Sequence, residues 1–237
     1  MKSPLLLGQW LTVDEAPSTQ DLAAALLRGE DKSKIPGVVH ARHQFAGRGR
    51  RQRTWLNAPG EGLAMSLVFQ EYANPSYPHL IGMTVAVAIA RVLNAKLRWP
   101  NDLAMSGRKI GGILTEMYPD SSGRSVAVVG VGLNLNEREF PPEIASFATS
   151  LALEQGGHYE PEAVGRRILA ELPELPEPES WTTLEPYWRP FDATPGKRYV
   201  LADGREATAV AIGDDGELIA KCGGETMRVL AAAAIFE

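Results

Sequence analysis

GRKIGGILTEMYPDSSGRSVAVVGVGLNLN, residues 107–136, is the stretch of sequence that decides the fold. Two runs rich in β-branched residues, 107–118 and 124–136, are separated by PDSSG, whose composition is typical of a turn. The two runs are therefore predicted to be neighbouring strands of one sheet. Gly111 and Gly112 lie inside the first strand, where glycines indicate either a bulge or a close approach of a ligand to the backbone.

The segments around this pair predict further strands and helices. Strands are predicted at 37–42 and 63–70, and helices at 18–29, 79–94 and 161–172. The helix at 79–94 is apolar nearly all round, which indicates burial against a sheet. The first helix is expected to begin at an N-cap Ser18, with Asp21 completing a weak capping box. The predicted fold class is α+β, with a mixed sheet and helices packed on it.

PELPEPES, residues 173–180, is the clearest boundary in the chain because it is rich in proline and glutamate and has little to bury. Beyond it the turn signals ADG, GDDG and CGGE recur between alternating runs, which is typical of a small antiparallel barrel. We therefore predict a main domain over residues 1–180, a connecting segment over 181–189 and a small C-terminal β-barrel over 190–237. A barrel of this size is marginal alone and should pack on the main domain.

The composition narrows the functional classes. The 237 residues carry a formal net charge of −5, whereas proteins that bind nucleic acid through bulk electrostatics usually have a basic domain. The single cysteine, Cys222, cannot form an internal disulfide, which favours a reducing cytosol. The longest apolar run, residues 81–90, is far shorter than a membrane span, and the N-terminal apolar run is too short for a signal peptide. We expect a cytoplasmic protein with no membrane partner.

Positive charge is concentrated in one stretch, GRGRRQRTW at residues 47–55. Its glycines let the backbone approach a ligand closely, and Arg48 and Arg50 are spaced to clamp a carboxylate or a phosphate. Three interpretations are open: a nucleic-acid patch, a solvated basic loop, and a loop that closes over an anionic ligand. Trp55 favours the third, because a tryptophan beside mobile arginines needs something flat or apolar to cover.

Other polar residues stand at predicted strand ends. Asp102 and Lys109 are either a structural ion pair, or a cation for a reacting anion with an acidic partner or metal ligand. Asn134 and Asn136 form either a polar strand terminus or an edge that faces a nucleotide. The four histidines show no metal spacing and are interpreted as structural, and no Ser/His/Asp or Cys/His constellation is present.

Taken together, these segments resemble the biotin–protein ligase family, bacterial enzymes that attach biotin to a carrier protein. The matching stretches are STQ at 18–20, QFAGRGRRQRTW at 44–55, WPNDL at 99–103, GRKIGGILTE at 107–116 and GVGLNLN at 130–136. They occur in the family's order, and with the β tail the resemblance covers nearly the whole chain. It implies a class II synthetase-like catalytic domain that binds biotin and ATP, followed by an SH3-like β-barrel.

The resemblance implies a two-step reaction that uses ATP, biotin and Mg²⁺. The carboxylate of biotin attacks the α-phosphate of ATP to give biotinyl-5′-AMP and pyrophosphate, and a lysine of a biotin carboxyl carrier protein or domain then takes the biotinyl group. Two anions must meet, so the catalytic residues are expected to be the cations Lys109, Arg48 and Arg50. The arginine loop, residues 45–53, is expected to be a lid that is mobile in the free protein and ordered over the adenylate.

Binding residues also follow from the resemblance. Contacts to biotin or the adenylate are implied for Ser18, Thr19, Gln20, Gln44, Arg48, Gly49, Arg50 and Lys109. Contacts to the nucleotide are implied for Arg53, Trp55, Asn101, Asp102 and Asn134, and no metal ligand is assigned to the protein. The family more often has asparagine where Gln20 stands and glycine where Gln52 stands, so the contact of Gln20 differs and the lid is expected to be stiffer.

The resemblance also implies which partners to expect. Family members that repress transcription carry a helix-turn-helix domain before the ST motif, and only seventeen residues precede Ser18 here. We therefore expect a short form without the DNA-binding domain, no DNA partner, and compatibility with a homodimer. The alternative enzyme is a lipoate–protein ligase or related acyltransferase, although Cys222 is poorly placed for a covalent acyl intermediate. A nucleic-acid-binding module would leave WPNDL and GRKIGG unexplained.

Overall fold

The computed structural model describes residues 9–55, 57–73, 75–230 and 234–235. Its strands are β1 (Trp10–Ala16), β2 (Val38–Gln44), β3 (Gly47–Arg48), β4 (Thr54–Trp55), β5 (Gly62–Ala73), β6 (Lys96–Arg98), β7 (Asp102–Met105), β8 (Arg108–Pro119), β9 (Ser125–Asn134), β10 (Arg198–Leu201), β11 (Glu206–Ile212), β12 (Leu218–Cys222), β13 (Glu225–Val229) and β14 (Ala234–Ile235). Its α-helices are α1 (Thr19–Leu27), α2 (Pro78–Leu93), α3 (Leu151–Gln155), α4 (Pro161–Glu171) and α5 (Trp181–Trp188).

A seven-stranded mixed sheet forms the centre of the molecule, in the order β1-β2-β5-β9-β8-β7-β6. β1 and β2 are parallel, and the other neighbouring pairs are antiparallel. The two runs of the opening stretch are β8 and β9, and they pair directly with Gly112 opposite Gly132. The predicted pairing of these strands and the predicted α+β class are therefore confirmed.

Two layers of helix cover opposite faces of this sheet. Val38, Leu67 and Val129 pack into the larger hydrophobic cluster, which contains almost all of α2. Their sequence neighbours Val39 and Val68 pack into a second cluster with α1. Because side chains alternate between the two faces of a strand, α1 and α2 must lie on opposite sides. The buried helix predicted at 79–94 is confirmed as α2.

The start of α1 differs in one respect from the prediction. Ser18 is the N-cap residue, but its side chain makes no capping hydrogen bond. Its hydroxyl instead accepts a hydrogen bond from Arg48 Nη1 at 3.3 Å. The predicted capping box is therefore wrong, because the Ser18 side chain is turned to the arginine loop and away from the helix backbone.

The C-terminal residues form the small antiparallel β unit that the turn signals predict, with five strands in the order β13-β12-β11-β10-β14. Its buried side chains, among them Tyr199 and Leu218, belong to the same hydrophobic cluster as α2, so the unit packs on the main core as expected. Leu175, inside the supposed boundary segment, is also buried in this cluster. The domain limits at residues 180 and 190 stay a prediction. No helix within the described ranges is long and apolar enough to cross a membrane.

Candidate active site

A cavity of about 680 Å³ lies against the middle of the large sheet. It is bounded by the start of α1, the β3–β4 hairpin, the β6–β7 connection and the facing parts of β8 and β9. Every binding or catalytic residue predicted from the sequence lines this cavity: Ser18, Thr19, Gln20, Gln44, Arg48, Gly49, Arg50, Arg53, Trp55, Asn101, Asp102, Lys109 and Asn134. Residues spread over more than a hundred positions of the chain are thus brought to one place.

One end of the cavity is buried and polar. Gln44 Oε1 accepts from the backbone N–H of Thr19 at 2.9 Å and from the Thr19 hydroxyl at 3.3 Å. The hydroxyl of Ser66 donates in turn to Thr19 Oγ1 at 2.8 Å. Ser18, Thr19 and Gln44 are all buried. The side chains at the start of α1 are therefore held in fixed directions by β2 and β5.

Gln20 is anchored by one half of its amide. Nε2 donates to Glu116 Oε2 at 3.0 Å and to the carbonyl of Leu114 at 3.3 Å, which orients the amide. Oε1 is buried and has no hydrogen-bond partner among the described residues. The side-chain amide packs on Gly130, where an added Cβ would lie 3.1 Å from Cδ of Gln20. One acceptor without a hydrogen-bond partner is thus buried beside this end of the cavity, packed against β9.

The arginine loop is a hairpin. Gly47 pairs with Trp55 and Arg48 with Thr54, and Arg50–Gln52 form a short 3-10 turn between them. A Cβ on Gly47 would lie 2.5 Å from the carbonyl oxygen of Trp55, so the close pairing of these strands requires glycine there. β3 and β4 have only two residues each, so they show no alternation of polar and apolar residues from which a strand could be predicted.

Arg48 is neutralised by the protein itself. Its guanidinium forms ion pairs with Glu116 at 3.0 Å and with Asp21 at 2.8 Å, and donates to the hydroxyl of Tyr118 at 2.9 Å. Burial alone would lower the pKa of Arg48, but Glu116, Tyr118 and Asp21 outweigh it and the pKa is raised. Burial and the neighbouring Glu116 carboxylate raise the pKa of Tyr118 to about 12, so its hydroxyl stays protonated and donates to Glu116.

Arg50 stands in different surroundings. Its Nη1 donates to Asn101 Oδ1 at 3.1 Å. Burial, with the charge of Arg51 and of Arg53 adding to it, lowers the pKa of Arg50, and Asp102 opposes this shift. A guanidinium remains charged through such shifts. The cavity wall therefore carries a cation whose surroundings, on balance, disfavour its charge, which is the condition under which an anionic ligand is most stabilising.

Lys109 and Asp102 form an ion pair at the same end, with Nζ 2.5 Å from Oδ1. About a third of the Lys109 side chain is exposed. The ammonium also lies 5.9 Å from the centre of the Trp55 ring. The structure brings this pair to the cavity together with Asn101, whose side-chain amide donates to the Ile113 carbonyl at 3.0 Å.

Trp55 forms a wall of the cavity. Its indole lies on the backbone of β9, since an added Cβ at Gly132 would be 2.5 Å from Cε2 of the ring. Trp55 Nε1 donates to Asn57 Oδ1 at 2.6 Å, and Asn57 Nδ2 donates to Glu137 Oε1 at 2.6 Å. Burial raises the pKa of Glu137. The bare backbone of β9 at Gly132 and this chain of hydrogen bonds together fix the plane of the indole.

The two asparagines after β9 separate. Asn134 lines the cavity and donates from Nδ2 to the carbonyl of Thr149 at 3.0 Å. Asn136 bonds to both the backbone N–H and the carbonyl of Tyr159, each at 2.8 Å, which is a structural role. Asn136 is therefore a polar strand terminus, whereas Asn134 lies at the cavity and its contact with a nucleotide stays a prediction.

Sequence reasoning missed several residues of the site. Asn57, Glu116, Tyr118 and Glu137 join the networks described above, and apolar side chains around 140–148 line the mouth of the cavity. Glu116 had a usable signal, because it lies four residues beyond Gly112 on β8 and side chains two or four apart share one face of a strand. The apolar group, with Phe147 54% exposed, had none.

The described residues contain no group of three histidine, cysteine, aspartate or glutamate side chains able to hold a metal ion. The carboxylate of Asp102, beside the amide of Asn101, is an oxygen donor at the cationic end of the cavity. A Mg²⁺ ion that is bound through one carboxylate and completed by phosphate oxygens is compatible with this donor set.

The fold and the site define a member of a known class of enzymes. The profile of the Biotin/lipoate A/B protein ligase family matches residues 13–136, and the chain belongs to this family. The chain is 31% identical over 172 residues to the bifunctional ligase/repressor BirA of Bacillus spizizenii, a match that covers 69% of this chain and 53% of that protein. It is 29% identical over 242 residues to a biotin–[acetyl-CoA-carboxylase] ligase of Mycobacterium tuberculosis, covering 94% of this chain and 88% of that one.

A solved structure supports the fold. The biotin protein ligase from Aquifex aeolicus in complex with biotin and ATP superposes with a TM-score of 0.73 at 23% identity, over 97% of this chain and 98% of that one. The chain spans about half the length of the curated BirA relatives that it matches. The predicted family and the predicted fold class are confirmed.

Proposed function

We propose that this protein is an ATP-dependent ligase that activates biotin as biotinyl-5′-AMP and transfers the biotinyl group to a lysine of a biotin carboxyl carrier protein. One observation carries the proposal: a single cavity joins a buried polar end, around Gln20 and Gln44, to a cationic end at Arg50 and Lys109. A ligand with a polar head at one end and a carboxylate at the other fits this arrangement.

The chemistry needs the cationic end. A carboxylate oxygen of biotin attacks the α-phosphorus of ATP, the bond to pyrophosphate breaks, and negative charge grows on the phosphate oxygens in the transition state. Arg50 and Lys109 line the cavity close to where this charge must form, and fixed cations in a partly buried site stabilise such charge strongly. In the second step a carrier amine attacks the acyl carbon, AMP leaves and the amine loses a proton.

We assign Arg48 a different role from Arg50. Its charge is already balanced by Glu116 and Asp21, so it has less to offer an incoming anion. Its side chain is proposed to fasten the hairpin to α1 and β8, while Gly49 and the adjoining backbone face the ligand. The other predicted contacts, from Ser18, Thr19, Arg53, Trp55, Asn101 and Asn134, are kept as part of the proposal because these residues line the cavity.

Biotin is favoured over lipoate by Gln20. A buried acceptor without a donor costs about 1–3 kcal/mol. The Oε1 atom of Gln20 is such an acceptor. The ureido ring of biotin offers N–H donors, whereas the dithiolane ring of lipoate offers none. We propose that the Gln20 amide turns to meet a ureido N–H in the biotin complex, so that lipoate leaves this atom unpaired, which is a strong form of selection.

Mg²⁺ belongs to the proposal as well. When bound, the cation neutralises phosphate charge and orients the triphosphate. Asp102 is the proposed carboxylate ligand, with substrate oxygens completing the shell. We place the enzyme in the cytoplasm, where the lone Cys222 stays reduced, and we expect no DNA partner for a chain with a net charge of −5.

The test is biotin-dependent exchange of labelled pyrophosphate into ATP, with Mg²⁺ present. We expect exchange with biotin and none above background with lipoate at the same concentration. Omission of Mg²⁺ and omission of enzyme are the controls. Exchange that is supported by lipoate and not by biotin would overturn the proposed substrate.

A further inference from the structure

Trp99 connects the large sheet to the C-terminal part of the chain. Only 1% of the residue is exposed. Its backbone N–H donates to Thr194 Oγ1 at 2.9 Å, its indole Nε1 donates to the Gly216 carbonyl at 2.8 Å, and its carbonyl accepts from the Tyr199 hydroxyl at 3.0 Å. The rings of Trp99 and Tyr199 pack edge to face with centres 6.1 Å apart. Every polar group of Trp99 is thus bound by residues beyond position 190.

The residues just after Trp99 bond in the opposite direction, to the cavity. The Asn101 carbonyl accepts from the N–H of Ile113 at 2.9 Å, and its side-chain amide donates back to the Ile113 carbonyl at 3.0 Å. Asn101 Oδ1 accepts from Arg50, and Asp102 pairs with Lys109. Residues 99–102 therefore form a short bridge between the C-terminal sheet and both cations of the site.

The Trp99 carbonyl is especially important for this connection, because the next residue is Pro100. Proline has no N–H, so this carbonyl is the sole hydrogen-bonding group of the peptide unit that joins the two residues, and Tyr199 is a donor to it. Burial, with the charges of Asp102 and Asp192 adding to it, raises the pKa of Tyr199, so the hydroxyl keeps the proton that it donates. A buried carbonyl that loses its donor is unfavourable and tends to turn towards another one. The residues attached to it must then move.

We infer that Tyr199 is a positioning residue for the adenylation end of the cavity, and that the C-terminal sheet acts on this end through Trp99. The inference rests on the proposed function, because it takes Arg50 and Lys109 to act on the phosphate. The buried polar end is built from α1, β2 and β8 instead. A disturbance of Trp99 should therefore weaken the use of ATP and leave the binding of biotin as it is.

Tyr199→Phe is the test, since it removes the hydroxyl and keeps the ring. We expect the KM for ATP in pyrophosphate exchange to rise about tenfold, because small displacements of positioning groups are costly to a reaction of two anions. The Kd for biotin, measured by calorimetric titration without ATP, should change by less than about twofold. A general loss of stability would not separate the two substrates in this way.

Val229→Ala is the matched control. Val229 is 2% exposed and lies in the same C-terminal sheet, but it makes none of the three hydrogen bonds to Trp99. Its truncation lowers the melting temperature through a cavity. We expect Val229→Ala to leave the KM for ATP unchanged at a temperature where the two variants are equally folded. Equal rises of KM in both variants would overturn the inference.

Hydrogen exchange gives a readout that does not need the enzyme to be active. The N–H of Ile113 is bonded to the Asn101 carbonyl, so the peptide that contains it should exchange about tenfold faster in Tyr199→Phe and not in Val229→Ala. If Tyr199→Phe does not fold, Thr194→Val removes the neighbouring bond to the Trp99 N–H and is tested in the same way.

The outcomes separate the two ideas. Unaltered exchange at Ile113 together with an unaltered KM for ATP would refute the role of Tyr199, whatever the substrate is. Faster hydrogen exchange at Ile113 in Tyr199→Phe would support the positioning role. If the wild-type protein then shows no biotin-dependent pyrophosphate exchange, the positioning role is kept and the proposed function is refuted.

Discussion

Gly132→Ala tests how the wall of the cavity is built. In the wild-type protein the Trp55 indole lies on the bare backbone of Gly132, and an added Cβ would be 2.5 Å from Cε2 and 2.7 Å from Nε1 of the ring. Carbon atoms pack at about 3.5 Å or more, so the ring must withdraw by roughly 1 Å. The backbone of Gly132 is in an extended strand, so alanine itself is not strained there.

The cost should fall on activity more than on stability. Trp55 is only half-buried and its ring can move outward, so we expect a loss of unfolding free energy below about 1 kcal/mol. The indole also lies near Lys109, and its Nε1 bond to Asn57 fixes its plane. Displacement of a wall by roughly 1 Å in a site that must align two reactants can cost about 10²-fold in rate. We expect adenylate formation to slow by 10-fold to about 10²-fold.

The assay is single-turnover formation of biotinyl-AMP, followed by rapid quench, with intrinsic fluorescence to report the surroundings of tryptophan. Gly112→Ala is the matched control, because Gly112 pairs directly with Gly132 and its added Cβ would meet Lys109 at an ordinary 3.5 Å. Its effect should be several-fold smaller. Trp55→Ala, alone and combined with Gly132→Ala, completes a double-mutant cycle.

The double-mutant cycle tests whether Gly132 acts only by making room for the Trp55 indole. If Gly132 is needed only to make room for the indole, Gly132→Ala should have less than about a twofold effect once Trp55 is alanine. Additive losses in the double variant would refute the steric account. So would equal slowing by Gly112→Ala and Gly132→Ala.

Three further predictions address the cations, the loop and the pH dependence. Lys109→Ala should slow adenylate formation by about 10²-fold. Arg205→Ala, which breaks an exposed ion pair, is the control and should not slow it. A lowered melting temperature with normal adenylate formation would instead show that Lys109 and Asp102 form a structural ion pair. Residues 45–53 should be cut by trypsin more slowly with biotin and ATP present, and equal rates would leave the loop a solvated one. Burial lowers the pKa of His40 below its usual value of 6.5, so the unfolded chain binds the proton more readily. The free energy of unfolding should therefore fall from about pH 7 to about pH 5. A urea titration of His40→Gln should lack that part of the slope, and an unchanged slope would show that other groups cause it.

The parts of the fold that were predicted correctly are those with strong local signals. β8 and β9 carry β-branched runs around a turn, and α2 is apolar on all sides, so local pattern and burial agree. β1 was not predicted, because an edge strand with half its residues polar shows no clear alternation. α5 was also missed, since it contains Pro186 and depends on the burial of Trp181 and Trp188.

The site shows the same division. The predicted residues lie in a few dense motifs, and all of them reach the cavity. The missed ones act through partners far along the chain: Glu116 is 68 residues from Arg48, and Glu137 is 80 residues from Asn57. Such pairs are set by sheet order and register, which a single sequence does not display.

The sequence alone indicated the family, the central sheet and the set of residues that meet at the cavity. Short motifs of glycines, arginines and a lysine are enough for this, because their function depends on residue type and local spacing. What the arginines do was decided by the tertiary structure. Arg48 and Arg50 are the same residue type two positions apart. The fold pairs the first with two carboxylates, whereas it buries the second near Arg51 and Arg53, with Asn101 as a hydrogen-bond acceptor. The interaction of charges depends on their distance and burial in space, and the order of strands determines both.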